Sequence, residues 1–190
     1  MHREIEIPRR RLLQWASLGA MIPLVSCAKG SSASPAADSS SEVGSHMTRV
    51  RGYKSVKELK DDSDVVAIVT VGASRVARDV DDVTDFTLSE CRVSRHIKGK
   101  ASRDASLIVR QLGSSGQATP VPLLRENHQY LLFLTRSGLA APLDEQFYVT
   151  GADAGIFSSS GESGAQFERV ARNEVDTLPN LVSDGDVLGA

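Results

Sequence analysis

Residues 65–71 read Val-Val-Ala-Ile-Val-Thr-Val, β-branched at every position but Ala67. Side chains of an extended strand alternate between two faces, so a strand with one wet face alternates apolar and polar residues. This run does not alternate, and it needs cover on both faces. Such a strand belongs in the middle of a structure, with Asp64 and Gly72 as its expected ends. The surrounding chain has 190 residues, which fits one globular domain with additional segments.

The elements around this strand are short. Ser55 followed three residues later by Glu58 predicts a capped helix over 55–60. Residues 73–83 are polar and acidic and read as a loop or a strand crossing. From Thr84 to Ile97 a long strand is expected, with Phe86 and Leu88 on one face but Val93 and Ile97 on the other. Such a change of phase predicts a bulge or a bend. Residues 107–112, 130–134 and 147–149 read as further strands, with a Gly/Ser/Pro-rich loop over 113–122. Residues 156–157 and 165–170 suggest a last hairpin, and the tail from Asn173 shows no clear period. Six or seven short strands with one or two short helices predict a mainly β fold. The expected architecture over residues 51–190 is a small, closed or partly open, OB-like β-barrel, in which one long bent strand serves both halves.

The order of three segments carries a resemblance. Asp-Val-Val-Ala-Ile-Val-Thr-Val (64–71), Val-Ser-Arg-His-Ile-Lys-Gly (93–99) and Gln-Tyr-Leu-Leu-Phe-Leu (129–134) are similar to the netrin-like OB-fold barrels, which include the tissue inhibitors of metalloproteases. The similarity spans roughly residues 60–158, and the chain also looks like many uncharacterised bacterial lipoproteins. The resemblance implies the barrel. It does not bring the inhibitory mechanism, which needs a free N-terminal cysteine to chelate the target's zinc, together with disulfide bridges.

The amino-terminal segment has a different logic. Arg9, Arg10 and Arg11 precede a moderately apolar stretch from Leu12 to Val25, interrupted by Gln14, Ser17, Gly19 and Pro23. A membrane span needs about 20 apolar residues, so residues 1–26 read as a signal peptide. Arg9 and Arg10 resemble a twin-arginine export signal, with an ordinary secretory signal as the alternative. Leu24-Val25-Ser26-Cys27 resembles the lipobox of bacterial lipoproteins. That resemblance implies cleavage before Cys27 and acylation of its sulfur, and two or more acyl chains anchor stably where one does not. The implied partner is the membrane, and the implied location is the extracytoplasmic face of the cell membrane. Residues 27–50 are Ser/Ala-rich and are expected to form a disordered spacer. About 20 such residues have an r.m.s. reach of roughly 25 Å. Gly44-Ser45-His46-Met47 has the form of a tag-cleavage remnant, and His46 carries no functional reading.

Composition narrows the partners. Formal net charge is −2, and residues 1–26 carry four arginines against two glutamates, so the rest is more acidic. Basic residues are scattered, which offers no footprint for nucleic acid. With Cys27 acylated, Cys91 has no cysteine to pair with and reads as a buried, inert thiol.

Candidate chemistry is sparse. His96 and His128 lie 32 residues apart with no zinc-type spacing around them, and they read as surface histidines beside turns. Asp79, Asp81, Asp82 and Asp85 form an acidic run that lacks the calcium-loop pattern, so a solvated loop is expected. Neither a nucleophile elbow nor a phosphate loop is present in the domain. No metal or cofactor is expected. The expected function is non-enzymatic: a tethered barrel that binds a protein or a cell-wall ligand, with the loops 113–122 and 79–85 as candidate rims. Two alternatives stand beside it. One is an envelope hydrolase built on His96, His128 and an aspartate. The other is a structural component of an envelope assembly.

Overall fold

The computed structural model describes residues 51–100, 105–160 and 165–190. The segments 1–26 and 27–50, expected as signal peptide and spacer, lie outside the described residues, and so do Arg9, Arg10 and Cys27. Among the described residues, no helix is long and apolar enough to cross a membrane.

The chain opens with a short helix, α1 (Val56–Asp61), whose first turn is capped by the Ser55 hydroxyl accepting from the Glu58 amide. Five strands follow: β1 (Val65–Ala77), β2 (Phe86–Lys98), β3 (Ser106–Leu112), β4 (Gln129–Arg136) and β5 (Phe147–Val149). They pair in the order β1-β2-β3-β5-β4, and β4 pairs back onto β1, so the sheet closes into a five-stranded barrel. The β3–β5 pairing is parallel and the others within the barrel are antiparallel. This is the expected mainly β, OB-like barrel with short helices. Closure leaves these strands without open edges. Three more strands, β6 (Ile156–Ser159), β7 (Gln166–Arg169) and β8 (Leu181–Ser183), extend the sheet from β4, and α2 (Asp184–Gly189) ends the chain.

The two-faced apolar run now has its reason. Val65, Ala67, Val69 and Val71 point into the barrel with Leu132 and Leu134 of β4. Val66 and Ile68 point outward, against a second core that holds Phe133, Phe157, Phe167 and Val182. The outer layer of β6–β8 and both helices therefore covers the outside of β1 and β4. Lys60 fastens it by donating to the carbonyls of Val187 (2.7 Å) and Ala190 (3.0 Å) beside α2. Lys98 similarly donates to Lys60 and Asp61 carbonyls at the end of α1.

Three expectations are corrected. The first strand does not end at Gly72 but continues to Ala77, so 73–77 is strand and the loop begins only after it. It survives Gly72 through a shift in register between Val71 and Ser74 opposite β2. That irregularity is also what the phase change in the long strand signalled: Phe86 and Leu88 lie beyond it, Cys91 and Val93 before it. The tail from Asn173 is not patternless. It holds β8 and α2, announced by Ser183 and Asp186, whose side chains and backbone amides satisfy each other reciprocally. Among the described residues the strand count is eight rather than six or seven.

The outer layer leaves the barrel at one place. Phe133 donates its amide to the Gly155 carbonyl and accepts from the Thr150 amide, between the parts of β4 that pair with β5 and β6. A Cβ on Gly155 would lie 2.8 Å from both the Phe133 and Thr150 carbonyl oxygens, so the crossing needs glycine. The Phe133 ring itself is fully buried against Phe157, with centroids 5.8 Å apart. Phe133→Ala is expected to destabilise the domain by about 3–5 kcal/mol. Urea unfolding checks this, as a lower midpoint at unchanged slope.

Candidate functional site

The outer face of β2, β3 and β5 lies away from the second core. Along β3, Val109 belongs to the barrel interior, so its neighbour Arg110 faces outward. Arg110 pairs in register with Leu88 on β2 and Tyr148 on β5. An outward arginine would normally reach water, yet Arg110 is 0 % exposed. Two segments cover it. The β1–β2 loop (78–85) brings Asp79, and the β4–β5 connection (137–146) ends in Gln146.

The bonds to the guanidinium are specific. Nε donates to Gln146 Oε1 at 2.8 Å. Nη2 donates to both carboxylate oxygens of Asp79, at 2.6 and 2.7 Å. The carbon of the guanidinium lies 4.7 Å from the centre of the Phe86 ring, a cation–π distance. Nη1 is buried and finds no acceptor among the described residues. A charged donor left unpaired costs roughly 1–3 kcal/mol or more, so this nitrogen marks a place where an acceptor would be gained.

Arg110 also lines a cavity of about 300 Å³, together with Phe86, Gln111, Leu112, Val121, Tyr148, Val149 and Ala152. Phe86 and Tyr148 meet edge to face across it, with centroids 6.5 Å apart. The Gln111 amide is occupied, donating to the Pro122 carbonyl and accepting from the Leu124 amide. The walls are thus apolar, with Arg110 the charged group among them. The volume sits at the lower end of small-molecule sites, which combine apolar walls with a few placed polar groups.

Of the candidate rim loops, 113–122 lines this cavity through Val121, and 79–85 reaches Arg110 through Asp79. The acidic run is bound up internally. Asp81 accepts from the amides of Val83 and Thr84 and from the Thr84 hydroxyl. Asp85 takes Arg78, Ser114 and Gln117. These bonds hold both carboxyls below the usual range, the Thr84 hydroxyl leading for Asp81 and Arg78 for Asp85. No group of three or more metal-ligating side chains stands together among the described residues.

The two histidines flank β1 from opposite sides. His96 pairs with Ala67 from β2, and the His128 carbonyl accepts from the Val71 amide just ahead of β4. His128 lines a separate, polar cavity of about 410 Å³ with Arg125, Tyr130, Glu168 and Arg169. Arg169 is the second buried arginine there; it pairs with Asp176 at 2.9 Å, and Asp176 also accepts from the Tyr53 amide. Cys91 is fully buried in the barrel, and burial pushes its thiol up to about 12.

Sequence reasoning passed over Arg110. The available signal was a charged residue in the middle of the apolar strand Leu107-Ile108-Val109-Arg110-Gln111-Leu112. Alternation alone assigns it to the solvent side, and only the covering loops show otherwise.

No protein-family model matches the chain, and no curated protein or solved structure matches it either.

The Arg110 guanidinium holds the Asp79 carboxyl below its ordinary value of 3.8. The contribution of the pair is therefore complete above that value and is lost as pH falls through the lower, folded one. Between pH 7 and about 5 the stability gap between the wild type and Asp79→Asn is expected to stay constant, and below about 4 it should narrow progressively. Thermal unfolding of both proteins from pH 7 to 3 checks this, and a gap as wide at pH 3 as at pH 7 contradicts it.

Proposed function

We propose that this protein is a non-enzymatic binding protein of the bacterial cell envelope, held at the membrane by lipid on Cys27. On this reading, residues 1–26 are removed after export directed by Arg9 and Arg10. Residues 27–50 form the tether, and the barrel over 51–190 presents its Arg110 cavity to a protein segment or a cell-wall ligand. The observation that carries the binding reading is the buried, unpartnered Arg110 Nη1 beside an apolar cavity. Its position supports the same reading. OB barrels bind through the β2–β3 face and the β1–β2 and β4–β5 loops. The residues that hold Arg110 come from those loops.

The anchor has its own support in the lipobox-like Leu24-Val25-Ser26-Cys27 and the polar tether behind it. A diacylated and further acylated cysteine would give stable attachment. Cys27→Ala is expected to move the protein from the membrane fraction into the soluble or unprocessed pool. Fractionation with intact-mass measurement checks it; unchanged mass and unchanged membrane association would remove the lipid anchor from the account.

Ligand binding is tested by filling the cavity. Val121 is half-buried at its wall and takes no part in the Arg110–Asp79 pair, so Val121→Trp occupies the space without breaking the bridge. Wild type and Val121→Trp are compared for capture of components from solubilised envelope. The expected result is loss of at least one captured component in the variant. An identical set would place the binding surface elsewhere.

A further inference from the structure

We propose that the Arg110 cavity takes an apolar group joined to a neutral carbonyl, an amide or an ester, whose oxygen accepts from Arg110 Nη1. This rests on the reading of the cavity as a ligand seat, and it names the class of ligand.

The argument begins with charge. A buried arginine usually suggests an anionic ligand, because a guanidinium recognises carboxylate and phosphate. Here that position is taken. Asp79 already binds Nη2 with both oxygens, at 2.6 and 2.7 Å, so the pair is neutral as a unit. A second carboxylate at Nη1 would bring an uncompensated negative charge against Phe86, Leu112, Val121 and Val149. Burying such a charge without its own partner is strongly unfavourable.

What the site lacks is an acceptor, not a charge. Nε and Nη2 are engaged, and Nη1 is the buried donor left over. A carbonyl oxygen satisfies one N–H and adds no net charge. The Gln111 amide, the other polar group in the wall, is already bonded at both ends. The remaining walls ask for an apolar body. The space, about 300 Å³, is larger than the roughly 150 Å³ in which an engineered apolar cavity holds benzene. A phenyl-sized group with a short arm fits, and the two rings of Phe86 and Tyr148 offer it edge and face contacts. A peptide bond beside an apolar side chain and an acyl ester share this chemistry.

Four probes separate the possibilities, titrated at pH 7 into the full chain and followed by NMR of the Arg110 side-chain NH and the Tyr148 ring. They are N-acetylphenylalanine methylamide, ethyl 3-phenylpropanoate, 3-phenylpropanoate and propylbenzene. At least one of the first two is expected to bind about tenfold more tightly than propylbenzene, the factor that one net hydrogen bond of ~1.4 kcal/mol carries. The same probe should exceed 3-phenylpropanoate by at least as much. Preference for the methylamide points to a peptide source, and preference for the ester to a non-peptide one. Asp79→Asn leaves the guanidinium uncompensated, so 3-phenylpropanoate should gain at least about tenfold relative to the ester in that variant. Asp79 is 29 % exposed on a loop, which keeps the substitution out of the core.

Should 3-phenylpropanoate bind the wild type as tightly as the neutral probes, the carbonyl assignment is wrong and the cavity is an acid seat. Should propylbenzene bind equally well, Nη1 plays no part, and the cavity remains an apolar seat. If no probe moves the Arg110 or Tyr148 signals, or if the shifts persist in Val121→Trp, the cavity is not a ligand seat and both readings fall together.

Discussion

The hydrogen bonds between Val65–Thr70 of β1 and Gln129–Leu134 of β4 hold the rest of the structure in place. They close the barrel, and they set both strands between two apolar compartments. Residues of one parity on each strand fill the barrel, and those of the other parity anchor the outer layer. Separating the pair would expose both cores at once, so the two layers depend on a single ladder. Hydrophobic burial supplies the drive, and the ladder decides where it is spent.

That arrangement also divides the outside of the barrel. The outer side of β1 and β4 is covered by β6–β8, α1 and α2. The outer side of β2, β3 and β5, with Phe86, Leu88, Arg110 and Tyr148, receives no such layer and is covered by loops instead. A sheet face covered by loops rather than by a packed layer is where cavities form and where ligands are met. The position of the Arg110 cavity is thus a consequence of which strands the chain used to close and cover its barrel.

Much of this was legible in the residues, for reasons that are local. Val65–Val71 needed cover on both faces, and that requirement alone implies an interior strand flanked by two layers. Ser55 with Glu58 announced α1, and the phase change between Leu88 and Val93 announced the irregularity at Gly72–Ala73, though on the partner strand. The misses share one cause. Gly72 read as an end because a glycine weakens a strand, but pairing on β2 carried the strand past it. The tail's β8 and α2 are short, and they exist through contacts with β7 and Lys60 far away in sequence. Arg110 drew no separate reading, because its burial comes from loops 78–85 and 137–146, which no periodicity places.

The two buried arginines show why burial alone does not make a site. Arg169 pairs with Asp176, and that carboxylate also binds the Tyr53 amide, so the group ties β7 to the start of the domain and to the tail. Both side chains of that pair are almost wholly buried, and removing either would strand a charge among three segments. Its purpose is met by the cross-link. The Arg110 pair ties down a loop from only one side, since Asp79 remains partly open to water. A buried ion pair is weak evidence for stability, and an apolar group of similar size often serves as well. For Arg110 the stability account therefore leaves a remainder: an unpartnered nitrogen, an aromatic wall and an unfilled volume in one place. Arg169 also keeps a buried nitrogen, Nε, without an acceptor among the described residues, and it lines the cavity beside His128; what sets Arg110 apart is the apolar, aromatic wall of its cavity.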